Sequence, residues 1–388
     1  MQKRGREISS SMHVGIITRG DVDYALDLAN DLSEVGVSVT LYLCHKHVVQ
    51  EVDTPDRPVE RLYELEILPR NCKVRLIMLP RMRDPRSFGV FRRLSNTIRN
   101  DGVDVAHILL GPGELWFAIL ACFLRSLPVT STMIVPKPNI GEEMPFLIVW
   151  TIHKLLAYGS DMVIVNGPDQ VSLVKKLYQV PINRITYVPL GVRKTAMKWS
   201  LQQNIEEPGT VLFFGRAHPH KGLEYLILAQ PLITKKIPHA RILISAHGPD
   251  LGRCRQMIQE NSYFEIHEGF VPGKRMATFF QRASLVALPY LTAASSGVLM
   301  TALAFGKPVV ATNISGLSGY IEEGVTGLLV PPANIEKLAI AVIRLLSDDV
   351  LRHKMGENAK HWIEKEQKEI ALQTIKVYEK AVFLKRKI

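Results

Sequence analysis

Long apolar runs are missing from this sequence. The two best candidates for a membrane span are Leu115–Leu124, which meets Arg125, and Met144–Tyr158, which is interrupted by His153 and Lys154. A membrane-spanning helix needs about 20 apolar residues, so both stretches predict buried helices instead. The N-terminal segment, MQKRGREISSSMHVGIITRG, also lacks the apolar centre of a signal peptide. These absences predict a cytoplasmic protein.

Cysteine is scarce, and its four residues are far apart without a CxxC pair: Cys44, Cys72, Cys122 and Cys254. This excludes a disulfide framework and a cysteine zinc site, and it fits a reducing compartment. Histidine is commoner, with 12 residues, and two pairs stand close in sequence: His45 and His47 on one face of a predicted strand end, and His218 and His220. Neither pair has a carboxylate at ligand spacing, so we expect no metal site.

The charge balance is basic, +11 over 388 residues. Residues 1–195 hold 24 basic and 20 acidic side chains, and the rest hold 24 and 17, so the excess is not confined to a tail. A basic surface suits nucleotide phosphates, anionic lipid or nucleic acid. No nucleic-acid-binding module is visible, so nucleic acid is not an expected partner.

Strand-like and helical segments alternate along the chain. Ala25, Leu28, Ala29, Leu32 and Val35 mark one helix face after a first strand. The expected strands of the first half are His13–Thr18, Val37–Leu43, Val74–Leu79, Val103–Leu109, Val129–Ile134 and Met162–Val165. Those of the second half are Thr210–Phe214, Arg241–Ser245, Glu265–His267, Ser284–Leu288, Val309–Thr312 and Gly327–Val330. This alternation predicts α/β domains with parallel sheets.

A polar segment, residues 195–210, interrupts the alternation and ends in Pro208-Gly209. We interpret it as a linker. The expected domains are an N-terminal Rossmann-like domain over 1–195, a C-terminal Rossmann-like domain over 196–365, and a helix over 366–388 that packs back on the first domain. Two such β/α/β domains predict a cleft, with ligands outside the carboxyl ends of the strands.

The loop after the Thr210–Phe214 strand combines a glycine with two cations. Gly215 permits a close backbone approach, and Arg216 and Lys221 are phosphate-binding side chains. The loop is not a Walker A motif, because GxxxxGK[ST] is absent. An ordinary solvated loop is the alternative.

A second candidate site follows the Ser284–Leu288 strand. Small residues lead into a helix near Val298, whose first N–H groups, at Gly297, Val298 and Leu299, suit an anion. Ser295 or Ser296 is a candidate N-cap, which is compatible with an anion site.

These segments, together with Gly248-Pro249, Pro289-Tyr290, Gly306–Thr312 and Thr326–Pro332, resemble the nucleotide-binding half of family-4 retaining glycosyltransferases with the GT-B fold. The resemblance covers residues 208–365. It is weaker in the first half, where Asp104–His107 and Tyr187–Val192 carry it. It implies an enzyme of the hexosyltransferase class, acting in carbohydrate biosynthesis on a nucleotide-sugar and a glycan or lipid-linked acceptor, with no metal and no cofactor.

The resemblance also implies roles for individual residues. Arg216 and Lys221 would neutralise the leaving diphosphate and are the expected catalytic residues. The other expected donor-binding residues are Gly215, His218, Gly248, Pro249, Ser296, Gly297, Val298, Leu299 and Thr301. Asp21 and Asp23 stand where the family places an acceptor-domain loop, so we expect them to bind the acceptor. A helix N-cap with first-turn acids explains them equally well.

The sequence departs from the family at two glutamates, which fall on Ala293 and Thr301. Thr301 retains one hydroxyl for the ribose and Ala293 retains nothing. Glu322 or Glu323 is a candidate replacement, and a solvated acidic pair is the alternative. The family histidine falls on Ile134, so no general base is identified. These losses keep three alternatives open: a sugar-nucleotide epimerase, an inverting transferase, or a non-catalytic sugar-nucleotide-binding protein.

The stretch Arg81–Arg99 combines six arginines with Phe88, Val90, Phe91 and Leu94. It is typical of a basic amphipathic surface that lies on anionic lipid. The alternative is a helix that packs these apolar residues inward. The first interpretation predicts a peripheral contact with the inner face of a membrane.

Overall fold

The computed structural model describes residues 12–52, 54–80, 84, 86–111, 114–137, 145–191, 194–198, 205–293 and 295–387. The described residues group into two compact units. One contains the described residues up to 191 together with 366–387, and the other contains 194–198, 205–293 and 295–365.

The first unit is built on a parallel sheet. Its described strands are β1 (His13–Thr18), β2 (Ser38–Cys44), β3 (Lys73–Ile77), β4 (Val105–Leu110), β5 (Val129–Met133), β6 (Met162–Val165) and β7 (Ile185–Tyr187). They are ordered β3-β2-β1-β4-β5-β6-β7. The strand order therefore reverses between β1 and β4, the position where open α/β sheets bind ligands.

Six of these strands were predicted, with bounds that differ by at most two residues at either end. They are recognisable because a parallel sheet covered on both faces needs continuous apolar runs. The strand β7 was missed, since three residues carry no periodic signal.

The described helices of the first unit are α1 (Val22–Glu34), α2 (His45–Val52), α3 (Pro58–Glu64), α4 (Ser87–Asn100), α5 (Leu115–Phe123), α6 (Phe146–Gly159) and α7 (Pro168–Tyr178). The prediction for His45 and His47 was wrong, because both lie in the first turn of α2 rather than on a strand.

Among the described helices, none is both long and apolar enough to cross a bilayer. The expected burial of α6 is only partial, since Phe146, Leu147 and Ile148 are exposed.

The second unit has its own parallel sheet. Its described strands are β8 (Thr210–Arg216), β9 (Arg241–His247), β10 (Phe264–Glu268), β11 (Leu285–Leu288), β12 (Val309–Thr312) and β13 (Gly327–Val330). Their order is β10-β9-β8-β11-β12-β13. The order reverses between β8 and β11, which places the loops after these two strands at the expected ligand-binding edge.

The described helices from residue 194 onward are α8 (Lys194–Lys198), α9 (Leu223–Lys236), α10 (Leu251–Ile258), α11 (Gly273–Arg282), α12 (Gly297–Ala304), α13 (Ser315–Ser318), α14 (Ile335–Ser347) and α15 (Asp349–Lys385). The segment interpreted as a linker thus includes a helix, α8. Its later part is anchored by ion pairs: Glu206 lies 3.0 Å from Lys307 and 3.2 Å from Arg352. Glu207 lies 2.6 Å from Arg282.

The end of α15 is part of the first unit and packs on its sheet. Ile370, Val377 and Ala381 belong to one apolar cluster with residues of β6. The Tyr378 hydroxyl lies 2.7 Å from Nδ1 of His107, whose Nε2 lies 2.7 Å from Oγ1 of Thr132. Burial lowers the pKa of His107 to about 3, so this buried ring is neutral at pH 7.

We predict that Tyr378→Phe destabilises the protein by about 1–3 kcal/mol, because it removes a partner from a buried imidazole. Tyr158→Phe is the matched control, because Tyr158 is 64% exposed. Its cost should stay within about 0.5 kcal/mol. Urea unfolding followed by circular dichroism measures both. Equal losses in the two variants would contradict a contribution from the buried hydrogen bond.

Candidate functional site

The carboxyl end of β8 lies against the start of α12. Gly215 has a φ of +109°, and a Cβ placed there would lie 3.3 Å from Cγ2 of Val298. Only glycine adopts this backbone conformation without strain. The predicted close approach at Gly215 is therefore present, and its neighbour is the N-terminal turn of a helix.

The loops after β8 and β11 are also packed backbone to backbone. Gly222 has a φ of +64°, and a Cβ there would lie 2.0 Å from the carbonyl oxygen of Pro289. The Leu291 N–H donates a hydrogen bond to the His220 carbonyl oxygen over 2.8 Å. These contacts place Nζ of Lys221 at 3.8 Å from the centre of the Tyr290 ring. The lysine is thus positioned by a buried aromatic side chain at the edge where a ligand is expected.

The start of α12 has a capping hydrogen bond. The Ser296 Oγ accepts from the Leu299 N–H over 3.2 Å, which confirms Ser296 as the N-cap. The Leu299 N–H is therefore occupied, although it was among the predicted anion donors. The N–H groups of Gly297 and Val298 belong to the first turn of the helix, where backbone donors have no acceptor within the helix. These two N–H groups are therefore the ones that a ligand can use.

Neither of the two positions where the family has a glutamate carries a carboxylate in this chain. Thr301 is 3% exposed, and its hydroxyl donates to the Gly297 carbonyl oxygen over 2.8 Å. This leaves the Thr301 oxygen able only to accept from a ligand. Glu322 is exposed. Glu323 accepts from the Leu329 N–H over 2.6 Å, which ties it to its own turn.

Basic and imidazole side chains gather at the ends of β8 and β9. Arg216 is exposed and pairs in register with His247. Burial lowers the pKa of His247, and the nearby Arg216 and His218 lower it further. The rings of His218 and His220 stack with centres 5.5 Å apart, and Nδ1 of His218 is buried without a partner. This edge is therefore suited to an anion that accepts several hydrogen bonds.

The predicted Gly248-Pro249 pair lies at the same edge. Gly248 has a φ of +137°, and a Cβ there would lie 2.6 Å from the Ala217 carbonyl oxygen. Pro249 is exposed. Asp250, the acid that follows, forms an ion pair with Arg253 over 2.7 Å. The structure thus brings the loops of Arg216, Lys221 and Gly248 to the edge where α12 begins.

In the first unit, Asp21 and Asp23 follow β1. Asp21 occupies the N-cap position of α1, but its side chain makes no capping hydrogen bond. Asp23 accepts from the Tyr24 N–H over 2.8 Å. The capping alternative therefore does not account for the Asp21 carboxylate.

Sequence reasoning missed Glu114, which stands before α5 beside Asp21. Glu114 is 9% exposed, and its Oε2 has no hydrogen-bond partner. Burial, followed by the charge of Asp21, raises its pKa to about 8. Glu114 is therefore protonated at pH 7. The only signal in the sequence was a single acidic residue directly before the apolar run that forms α5.

The remaining predictions concern metals and the arginine-rich stretch. Within the described ranges, no three His, Cys, Asp or Glu side chains cluster to hold a metal ion.

Of the arginine-rich stretch, Arg81 and Arg83 lie outside the described residues. In α4, Phe91 and Leu94 are 2% and 7% exposed while Phe88 is 52% exposed. Most of the apolar face of α4 therefore packs inward.

Two family models match this chain. Residues 19–195 match the model described as Glycosyltransferase Family 4, and residues 197–362 match Glycosyl transferases group 1. Among curated proteins, an alpha-D-kanosaminyltransferase of Streptomyces kanamyceticus is 30% identical over 157 residues, which are 40% of this chain and 41% of that protein. For eight curated relatives, the matched part spans 16–64% of their length.

Solved structures resemble almost the whole chain. A sucrose-phosphate synthase from Thermosynechococcus elongatus has a TM-score of 0.68 at 18% identity and covers 95% of this chain and 98% of its own. The HepE protein of Anabaena, in complex with UDP and glucose, has a TM-score of 0.69 at 15% identity and covers 94% and 98%. These neighbours confirm the predicted fold, two Rossmann-like domains of the GT-B type.

The protonated Glu114 makes a testable contribution to stability. Its pKa is about 8 in the folded protein against an ordinary value of 4.5, so the folded state binds more protons between these pH values. Raising the pH from 5 to 9 should therefore lower the unfolding free energy of the wild type by up to roughly 4 kcal/mol more than that of Glu114→Gln. Urea unfolding across this pH range measures the difference. Parallel pH profiles for the two proteins would contradict a raised pKa.

Proposed function

The chain belongs to the glycosyltransferases of group 1 and family 4, and we propose that it transfers a sugar, of the hexosyl class, from a nucleotide-sugar donor to an acceptor hydroxyl with retention at the anomeric carbon. This proposal rests on the edge of the second unit, where β8 ends beside the start of α12. The packing of Gly215 on Val298 brings the Arg216 loop to a helix N-terminus. A helix N-terminus and two nearby cations suit a diphosphate.

In the proposed reaction the bond between the anomeric carbon and the diphosphate oxygen breaks. The acceptor oxygen bonds to the same face of that carbon, and the acceptor proton passes to the leaving phosphate oxygen. Arg216 and Lys221 stabilise the charge that develops on the diphosphate, together with the amides of Gly297 and Val298. No protein base and no metal are required in this scheme, because the leaving group accepts the proton.

The recognition of the donor is proposed to rest on the phosphates. Gly248, Pro249 and His218 border the same edge, and Ser296 orders the helix start by its capping hydrogen bond. The structure of the Anabaena HepE protein, which this chain resembles in fold, contains UDP and glucose, and this supports a nucleotide-sugar as the donor class. The main alternative is a protein that binds such a donor without catalysis, because Ala293 and Thr301 stand at the positions of the two family glutamates.

A donor panel separates the enzyme from the binding protein. The protein is incubated with UDP-, GDP-, ADP- and dTDP-sugars without acceptor, and the slow release of nucleoside diphosphate is measured by chromatography. An enzyme should hydrolyse one donor more rapidly than the others. Binding of a donor by calorimetry without any release would favour the non-catalytic alternative.

We predict that Arg216→Ala and Lys221→Ala each cost about 2–4 kcal/mol of transition-state stabilisation, because each removes a positioned charge from the diphosphate. Lys235→Ala is the control: Lys235 is exposed and lies near the far end of α9, about 18 Å along the helix from its start. Steady-state kinetics with the donor found in the panel measures all three. Wild-type turnover in either site variant would exclude that residue from the proposed role.

We further propose a peripheral contact with anionic lipid through the exposed side of α4. Arg92 and Arg93 are exposed there, and Met78 and Phe88 are exposed nearby in sequence, at 72% and 52%. Such binding should weaken steeply with salt. The double variant Arg92→Glu/Arg93→Glu should float less with phosphatidylglycerol vesicles than the wild type at 50 mM salt. The absence of flotation by the wild type would remove lipid-linked acceptors from the proposal.

A further inference from the structure

His247 is the last residue of β9 and stands at the edge of the second sheet where the candidate donor site lies. It pairs in register with Arg216, the last residue of β8. Residues paired in this way have their side chains on the same face of a sheet. His247 is half-buried, whereas Arg216 and the following Gly248 are exposed. The imidazole is therefore within reach of a ligand bound at this edge.

Backbone contacts hold the imidazole beside the loop that follows β8. The Ala217 N–H donates to the His247 carbonyl oxygen over 2.7 Å, and the Asp250 N–H donates to the Ala217 carbonyl oxygen over 3.0 Å. A Cβ at Gly248 would lie 2.6 Å from that same Ala217 oxygen, so the two loops are closely packed. The spacing between His247 and the basic residues of the loop is thus set by the backbone.

The groups that face His247 from this loop are basic. Burial lowers the pKa of His247, and the charges of Arg216 and His218 lower it further. The His218 ring stacks on that of His220, and Lys221 continues the same loop. In the ligand-free protein, both burial and like charges therefore oppose protonation of His247.

On its other side, His247 meets an uncharged ring. Phe270, two residues after β10, lies edge-on to the imidazole with ring centres 6.4 Å apart. Two acids near this edge already form ion pairs: Glu268 of β10 with Arg255 at 2.9 Å, and Asp250 with Arg253 at 2.7 Å. Their charges are therefore largely offset by arginines, and the basic loop dominates the surroundings of the imidazole.

A bound diphosphate reverses this balance. It brings negative charge to the imidazole, and it offsets the charge of Arg216 at the same time. An opposite charge within about 4–6 Å favours the charged form of a histidine. Histidine is also the side chain whose ordinary pKa lies closest to pH 7, so a small change in its surroundings changes its charge. Binding of the anion and binding of a proton therefore support each other, and this coupling is reciprocal.

We propose that His247 takes up a proton from solvent when the diphosphate of a donor binds beside it, which makes donor binding stronger at lower pH. The protonated imidazole donates a hydrogen bond to a phosphate oxygen, and the proton returns to solvent on release. The affinity falls as the pH rises, because the bound state holds more protons than the ligand-free state. The inference rests on the proposed function only in taking the anion to be the diphosphate of the donor.

The probes are UDP-, GDP-, ADP- and dTDP-glucose, whose diphosphates are diesters without a titrating group between pH 6 and pH 8.5. Calorimetry of the full chain at pH 7.5, in Tris and in PIPES, gives the proton uptake from the difference in binding enthalpy. We expect between about 0.3 and 1 proton per bound nucleotide-sugar. The affinity should fall at least about fivefold from pH 6 to pH 8.5. No binding of all four probes, or binding without proton uptake, would overturn the proposal.

One variant removes the titrating group. His247→Gln should take up no proton, and its affinity should change by less than about twofold between pH 6 and pH 8.5. At pH 8.5 it should bind within about threefold of the wild type, which shows that the site is intact. Proton uptake that persists in His247→Gln, or an equal loss of affinity at both pH values, would overturn the proposal.

His239→Gln is the matched control. His239 is exposed and precedes β9, so it lies about 20 Å or more from His247 along the strand. This variant should keep the proton uptake and the pH dependence of the wild type. Loss of the proton uptake in His239→Gln would contradict its assignment to His247.

The donor panel separates this inference from the proposed function. Proton-linked binding of a nucleotide-sugar, without any release of nucleoside diphosphate, would reject sugar transfer and leave the role of His247 in place. Release of nucleoside diphosphate without proton uptake would reject the role of His247 and leave sugar transfer in place.

Discussion

The close approach of backbone segments at the edge of the second sheet is the constraint on which the candidate donor site depends. Gly222 packs on the Pro289 carbonyl and Gly215 packs on the Val298 side chain, so the absence of a Cβ at each glycine lets two loops and one helix start lie together. A methyl group at Gly222 would overlap the Pro289 oxygen. The backbone packing therefore fixes the loop that carries Arg216 and Lys221, and the Lys221 ammonium lies over the Tyr290 ring.

The carboxyl edges of the two sheets differ in charge. The edge of the second unit gathers Arg216, Lys221 and histidines, which is appropriate for a diphosphate. The edge of the first unit holds Asp21 and the protonated carboxyl of Glu114. A neutral carboxyl can both donate and accept a hydrogen bond, whereas arginine and lysine side chains only donate.

The sequence predicted the strands well, because each buried parallel strand is a short apolar run between turn residues. It also located the edge of the second sheet, since Gly215 and Gly222 have positive φ values that the sequence marks as glycine. It did not reveal β7, which is too short for a pattern. Glu114 was missed for a different reason: its burial depends on the distant Asp21 and Gly20, and no local spacing encodes that contact.

The loss of both family glutamates changes how a donor would have to be held. Thr301 donates its hydroxyl proton to the Gly297 carbonyl oxygen, so it has no proton to donate to a ribose. One oxygen of the Glu323 carboxylate accepts from the Leu329 N–H. Under the proposed function, most of the donor's binding energy then comes from the phosphates. Phosphates are common to all nucleotide-sugars, so such a site would select its donor through contacts to the sugar and the base rather than to the ribose. Charge-assisted phosphate contacts also weaken with salt when exposed, and Arg216 is exposed. The affinity for the donor is therefore tied to ionic strength more closely than in a relative that retains a buried ribose carboxylate.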